Sequence, residues 1–260
     1  MTASTSLSSN GSDSTIRDFE QHYQQWYTKH AGQYDPSRFS HDDAKRFNSL
    51  EQVRIFELLG LKPGQTVLDV PTGTGRIAAY MAEQGLKTTA LDLTYNMLLE
   101  TRAKASQDEE SSLSCVEGTG RALPFEDGTF DGLYSIRFFH LFPVKLYRPF
   151  VQEMWRVVKP GGVMLLQFDS ALAGGIANWI RELRWRRERG RAHSFIWPHQ
   201  IPGVFEGIPD ITFHGFSPVG VRFVRRASPD AAAKLESIFA DGNRSYFASK
   251  LFVRAVKPAR

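Results

Sequence analysis

Val67-Leu68-Asp69-Val70-Pro71-Thr72-Gly73-Thr74-Gly75-Arg76 decides the fold of this chain. An apolar run ending in an acid and a glycine turn, then the helical pattern Ile77, Ala78, Tyr80 and Met81, reads as strand, turn and helix start. Asp92 closes the next apolar run. Together these make a βαβ unit built to hold an adenine nucleoside, with a carboxylate at the tip of its second strand for ribose hydroxyls.

The same alternation continues on either side. Strand-like runs TVLDV (66–70), KTTALDL (87–93), SLSCVEG (112–118), FDGLYSI (130–136) and VMLLQF (163–168) are separated by helix-like runs over 76–84, 94–105 and 149–158. Gly85 and Lys159-Pro160-Gly161-Gly162 stand where a chain leaves a helix. Near-continuous apolar strands need cover on both faces, which predicts an α/β, doubly wound, Rossmann-like and mostly parallel sheet. A strand around 211–216, a helix over 229–240 and a last strand, SKLFVRAV, running antiparallel, would complete seven strands.

At 260 residues with 42% hydrophobic content, one embellished domain is expected. Residues 1–15, MTASTSLSSNGSDST, read as a disordered tail without the apolar core of a signal peptide or the arginines of a transit peptide. Residues 16–64 read as a helical cap. Phe19, Tyr23, Trp26 and Tyr27 mark one helix face, and the stripe Val53, Ile55, Phe56, Leu58, Leu59 stops at Gly60 and Pro63-Gly64. Residues 65–260 form the main domain, with a lid insertion over 171–230 and a helix within it near 175–189. Cys115 is the single cysteine, so no internal disulfide forms and a cytoplasmic setting is expected. No apolar run is long enough to span a membrane, which leaves only peripheral contact.

Gly73-x-Gly75-x-x-Ala78 also fits a dinucleotide fingerprint. Asp69 argues against that, because a carboxylate beside the turn repels a diphosphate seated on the helix N-terminus. It attracts a cationic ligand instead. S-adenosylmethionine has no phosphate and carries an ammonium and a sulfonium, and an ionised Asp92 can accept hydrogen bonds from both hydroxyls of an unphosphorylated ribose.

At these residues the chain resembles the class I S-adenosylmethionine-dependent methyltransferases. Asp69 to Gly75 is similar to the family's acidic glycine-rich turn, and Asp92 to its second-strand acid. Glu117 to Phe125 with Asp127 to Asp131, and Glu153 to Gly162, follow in the family's order, so the resemblance covers roughly 65–170. It implies S-adenosylmethionine as cofactor, held by Asp69, Pro71, Gly73, Thr74, Gly75, Asp92, Leu93, Met97, Thr119, Gly120, Arg121 and Ser135, with Tyr34 closing over the methionine end. There are two departures. Pro71 replaces a first glycine, so positive φ is barred there and Gly73 and Gly75 must supply the close approach. Thr119 stands where many members have an Asp that accepts from the adenine amino group; its hydroxyl is a neutral and weaker acceptor.

The fourth strand should deliver Ser135-Ile136-Arg137-Phe138-Phe139-His140 to the reacting centre, at the switch point of the sheet. No Asn/Asp-Pro-Pro-Tyr stands there, which argues against methylation of base or amide nitrogen. By resemblance, S-x-R-x-x-H points to small-molecule acceptors of the quinone and natural-product type. His140 is the candidate base for a hydroxyl acceptor, beside the reading that it packs under the lid, bonded to backbone. Arg137 either orients an anionic acceptor or the methionine carboxylate, or pairs with a neighbouring acid. Trp179 and Trp197, with Phe195 and Phe205, would line an apolar acceptor cleft or simply bury the lid. The arginines between 181 and 191 form a solvated helix face or a patch for phosphates. No metal spacing is present.

The function expected is therefore methyl transfer to O, C or N of a small, partly apolar metabolite by in-line displacement. RNA methylation, and a non-catalytic nucleoside-binding or structural protein of the same fold, stand as alternatives. Nucleic acid is not the expected partner, and a homodimer stays open.

Overall fold

The computed structural model describes residues 9–39, 41–105, 112–173, 180, 182–184, 186–188, 190, 193–218 and 228–259. Two helices, α1 (Ser9–Phe39) and α2 (Asp42–Leu59), precede a seven-stranded sheet. Its strands are β1 (Thr66–Asp69), β2 (Lys87–Asp92), β3 (Leu113–Glu117), β4 (Phe130–Ser135), β5 (Val158–Asp169), β6 (Thr212–Pro218) and β7 (Ala248–Val256), in the order β3-β2-β1-β4-β5-β7-β6. Only β7 runs antiparallel to its neighbours. The crossovers are α3 (Arg76–Glu83), α4 (Tyr95–Lys104) and α5 (Tyr147–Arg156).

Alternation along each strand builds two cores. Leu68, Leu133, Met164 and Leu166 pack on the face that carries α5, through Phe150, Val151 and Met154. Val67, Tyr134, Val163 and Leu165 point to the opposite face, against Ile55, Leu58 and Leu59 of α2 and Ile77 and Met81 of α3. Each fully buried side chain of this size contributes about 1.5–3 kcal/mol. The sheet is thus doubly wound, and strand order reverses between β1 and β4, where a crevice opens beyond the carboxyl ends.

The local stops are where the residues place them. Gly60 ends α2 in the left-handed region (φ 64°), its N–H bonded to the Phe56 carbonyl. Three expectations change. Ser9 to Thr15, read as disordered tail, are helical, and Asp13 ties this turn to Arg17 and to Arg121 at 2.8 Å. The 149–158 helix starts at Tyr147, and β5 begins directly at Val158, so Lys159-Pro160-Gly161-Gly162 lies in the strand instead of a loop. Val53 faces solvent, while Glu51 takes its place on the buried face of α2. Much of the helix expected over 175–189, including Trp179, lies outside the described residues.

Candidate active site

A cavity of about 970 Å³, counting its open mouth, occupies the crevice at the switch point. Strand tips and the turns after them form its floor; α1 forms its wall. Asp69 ends β1 and is buried, its Oδ2 accepting the Thr72 hydroxyl at 2.9 Å. Loss of hydration on burial pushes its pKa up to about 7, only partly opposed by that hydrogen bond. Asp92 ends β2, and burial likewise pushes it up to about 6 against two backbone hydrogen bonds. Its oxygens accept the N–H groups of Gly73 and Thr94, each at 2.8 Å, and keep further lone pairs for a ligand. Two desolvated carboxylates in one cavity make a site for a cation and for hydroxyl donors.

Gly73 (φ 59°) lines the cavity, as do Pro71, Thr74, Leu93, Met97, Thr119, Gly120 and Tyr34. The Thr74 hydroxyl donates to Asp35 at 2.7 Å, and Lys104 bridges Asp35 and the Thr74 carbonyl, so α1 and α4 hold the turn between them. Gly75 does not line the cavity. Its φ is 73°, and a Cβ there would sit 2.5 Å from the Thr101 side chain, so it is required for the turn to lie on α4 rather than for contact with a ligand. Arg121 also lies outside the lining, held by Asp13 and by Glu20 at 3.0 Å. Ser135 is fully buried beneath the floor.

Of its alternatives, Arg137 shows the pairing with a neighbouring acid. It lines the cavity at a positive φ of 58° and pairs with Glu51 at 2.8 Å. Glu51 is completely buried and also takes Arg76 at 2.9 Å and the Gln167 amide at 3.0 Å. Burial alone would raise its pKa, but Arg137, Arg76 and Gln167 overcome this and hold it at about 2. Two cations share one anion at the cavity edge.

His140 goes elsewhere. It sits in the 3₁₀ turn Phe139–Leu141, its ring stacked on His193 with centroids 4.6 Å apart, and its carbonyl accepts the Ser194 N–H. Phe138 and Leu141 on either side line the cavity; His140 does not. His193 in turn meets Asp169, which Lys250 also contacts. The expected base is thus a packed histidine. Trp197 is 47% exposed, stacks on His199 and forms no part of the cavity.

The residues that sequence reasoning missed come mostly from α1. Glu20, Tyr23, Gln24 and Tyr27 follow one helical stripe into the cavity, and Gln24 donates to the Leu93 carbonyl at 2.9 Å. The apolar periodicity of Tyr23 and Tyr27 was a usable signal, since Glu20 and Gln24 share their face. Of the arginine run, Arg184 pairs with Glu188 and Arg186 with Glu182 along their own helix, as a solvated face does. Among the described residues no His, Cys, Asp and Glu cluster suits a metal, and no helix is long and apolar enough to cross a membrane.

This sheet order, with an acidic glycine turn on β1 and an acid ending β2, defines a class I S-adenosylmethionine-dependent methyltransferase fold. Residues 68–166 match the family model described as a methyltransferase domain. The chain is 38% identical over 126 residues to a ubiquinone/menaquinone biosynthesis C-methyltransferase of Ruegeria sp., covering 47% of this chain and 50% of that protein. It is 38% identical over 108 residues to a demethylmenaquinone methyltransferase of Shouchella clausii, covering 40% and 45%. It spans about half the length of the curated relatives it matches. A Thermotoga maritima structure, described as a methyltransferase dependent on S-adenosylmethionine and possibly acting on histamine, shares the fold. The TM-score is 0.61 at 12% identity, over 92% of this chain and 99% of that one.

Proposed function

We propose that this chain moves a methyl group from S-adenosylmethionine to a small, partly apolar, ring-bearing metabolite of the quinone type. The observation that carries the reading is the pair Asp69 and Asp92, two buried acids from neighbouring strand tips that line one cavity. Their chemistry fits the donor. Asp69 holds its ammonium, Asp92 its ribose hydroxyls, and Leu93 and Met97 one face of the base; Pro71, Gly73 and Thr74 shape the turn beneath it, and Gly120 with Thr119 the far end. Arg76 and Arg137, sharing Glu51, face a carboxylate. Tyr34 closes the amino-acid end.

The bound donor supplies an electrophilic methyl group, so the chain's own work is alignment and exclusion of water. Tyr23, Tyr27, Phe138, Leu141 and Phe142 give the rest of the lining an apolar, aromatic character that suits a ring and shields the transfer from solvent. The named activities of the relatives support the same acceptor class. A metabolite, not RNA, is the acceptor, consistent with arginines already paired along their helix. The cytoplasm is the inferred setting, in keeping with one unpaired thiol, Cys115.

Incubation with methyl-labelled donor and a demethylated quinone should place label in the ring product. Calorimetric binding of S-adenosylhomocysteine without transfer to any ring acceptor would leave only a nucleoside-binding role.

A further inference from the structure

We propose that Glu20, on the cap helix, is the group that recognises the adenine amino edge of the adenosyl ligand. The inference rests on the adenosyl reading above. The direction of the ligand follows from the strand order. Asp69, Asp92 and the Thr119 turn lie at the tips of β1, β2 and β3, three neighbours in the sheet, so a ligand with its amino-acid end at Asp69 and its ribose at Asp92 places its base by Thr119.

At that end the base needs an acceptor for its exocyclic N–H, and Thr119 is already committed. Its hydroxyl donates to Glu20 Oε1 and accepts the Arg121 N–H at 3.3 Å. Glu20 is the nearby acid that also lines the cavity, with its side chain only 11% exposed. Oε2 accepts Arg121 Nε at 3.0 Å, so each carboxylate oxygen has one donor and retains a lone pair. Arg121 fixes the group in place, and Gln24, one turn on, anchors the helix to the Leu93 carbonyl. An acceptor-only, charged group here prefers a purine with a 6-amino donor. The cap helix therefore contributes base selectivity as well as cover.

The test titrates the full chain by calorimetry with S-adenosylhomocysteine and with its 6-deamino analogue. A hydrogen bond to a charged group predicts that the wild type binds the analogue roughly tenfold or more weakly. Glu20→Met should bring the two affinities to within about twofold, on the same scale, with thermal melting checking the fold. Thr119→Val removes the hydroxyl and leaves the carboxylate, so it should keep most of the preference even if Glu20→Met loosens α1. An unchanged preference in Glu20→Met, or its loss in Thr119→Val alone, would overturn the assignment to Glu20 and leave the adenosyl reading standing. Failure of both compounds to bind the wild type would remove the adenosyl reading, and this inference with it.

Discussion

The Asp92 carboxylate accepts the Gly73 backbone N–H at 2.8 Å, so the tip of β2 fixes the turn that follows β1. One acid thereby shapes the cavity floor and faces its contents. Asp92→Ala should weaken S-adenosylhomocysteine by a factor on the order of 100, since hydrogen bonds to a charged group contribute about 1.5–3 kcal/mol each. Asp92→Asn should be nearly as weak, because its amide cannot present an acceptor to both Gly73 and Thr94. Calorimetry reads both; a loss under threefold would contradict the role.

Asp69 makes the site pH-dependent. Its folded pKa of about 7 lies above the ordinary 3.8, so its contribution to stability is complete below about 4 and is lost as pH rises through 7. A cation beside it restores what deprotonation costs. The increase in melting temperature caused by S-adenosylmethionine should therefore grow between pH 5.5 and 8, with proton release on binding below pH 7. In Asp69→Asn most of this growth should vanish, leaving a smaller part centred near 6 from Asp92.

Glu51 has the opposite sign. Its folded pKa of about 2 lies below the ordinary 4.5, so its stabilisation is present above 4.5 and disappears as pH falls toward 2. Glu51→Gln keeps the volume and leaves Arg76 and Arg137 facing each other without their shared anion. Denaturant unfolding at pH 7 should show a loss of about 3–5 kcal/mol, as for other broken buried pairs.

Gly75→Ala combines a positive φ with a clash against Thr101. A loss of about 1–3 kcal/mol is expected in denaturant unfolding. Ligand affinity should fall too, because the displaced turn carries Gly73.

The mostly parallel seven-stranded sheet and both strand-tip acids were legible because they depend on local pattern: apolar runs, glycine punctuation and an acid at a run's end. Glu20 was not, since its partners Thr119 and Arg121 lie 99 and 101 positions away and meet it only when α1 docks. His140 was placed at the reacting centre by its distance from β4, yet the direction of its ring is set by His193, which no local rule brings near. Glu51 did leave a trace. It stands on the same helical face as Ile55, Leu58 and Leu59, and an acid on a buried face calls for a buried cation.

One continuous helix carries both Glu20 and Tyr34, fourteen positions apart, and so works as a ruler of about 21 Å along the crevice. Its markings are set by helical pitch, not by the sheet. A single alanine inserted between Tyr27 and Tyr34 would swing one end by about 100° relative to the other, uncoupling the two ends of the crevice wall while leaving every strand untouched.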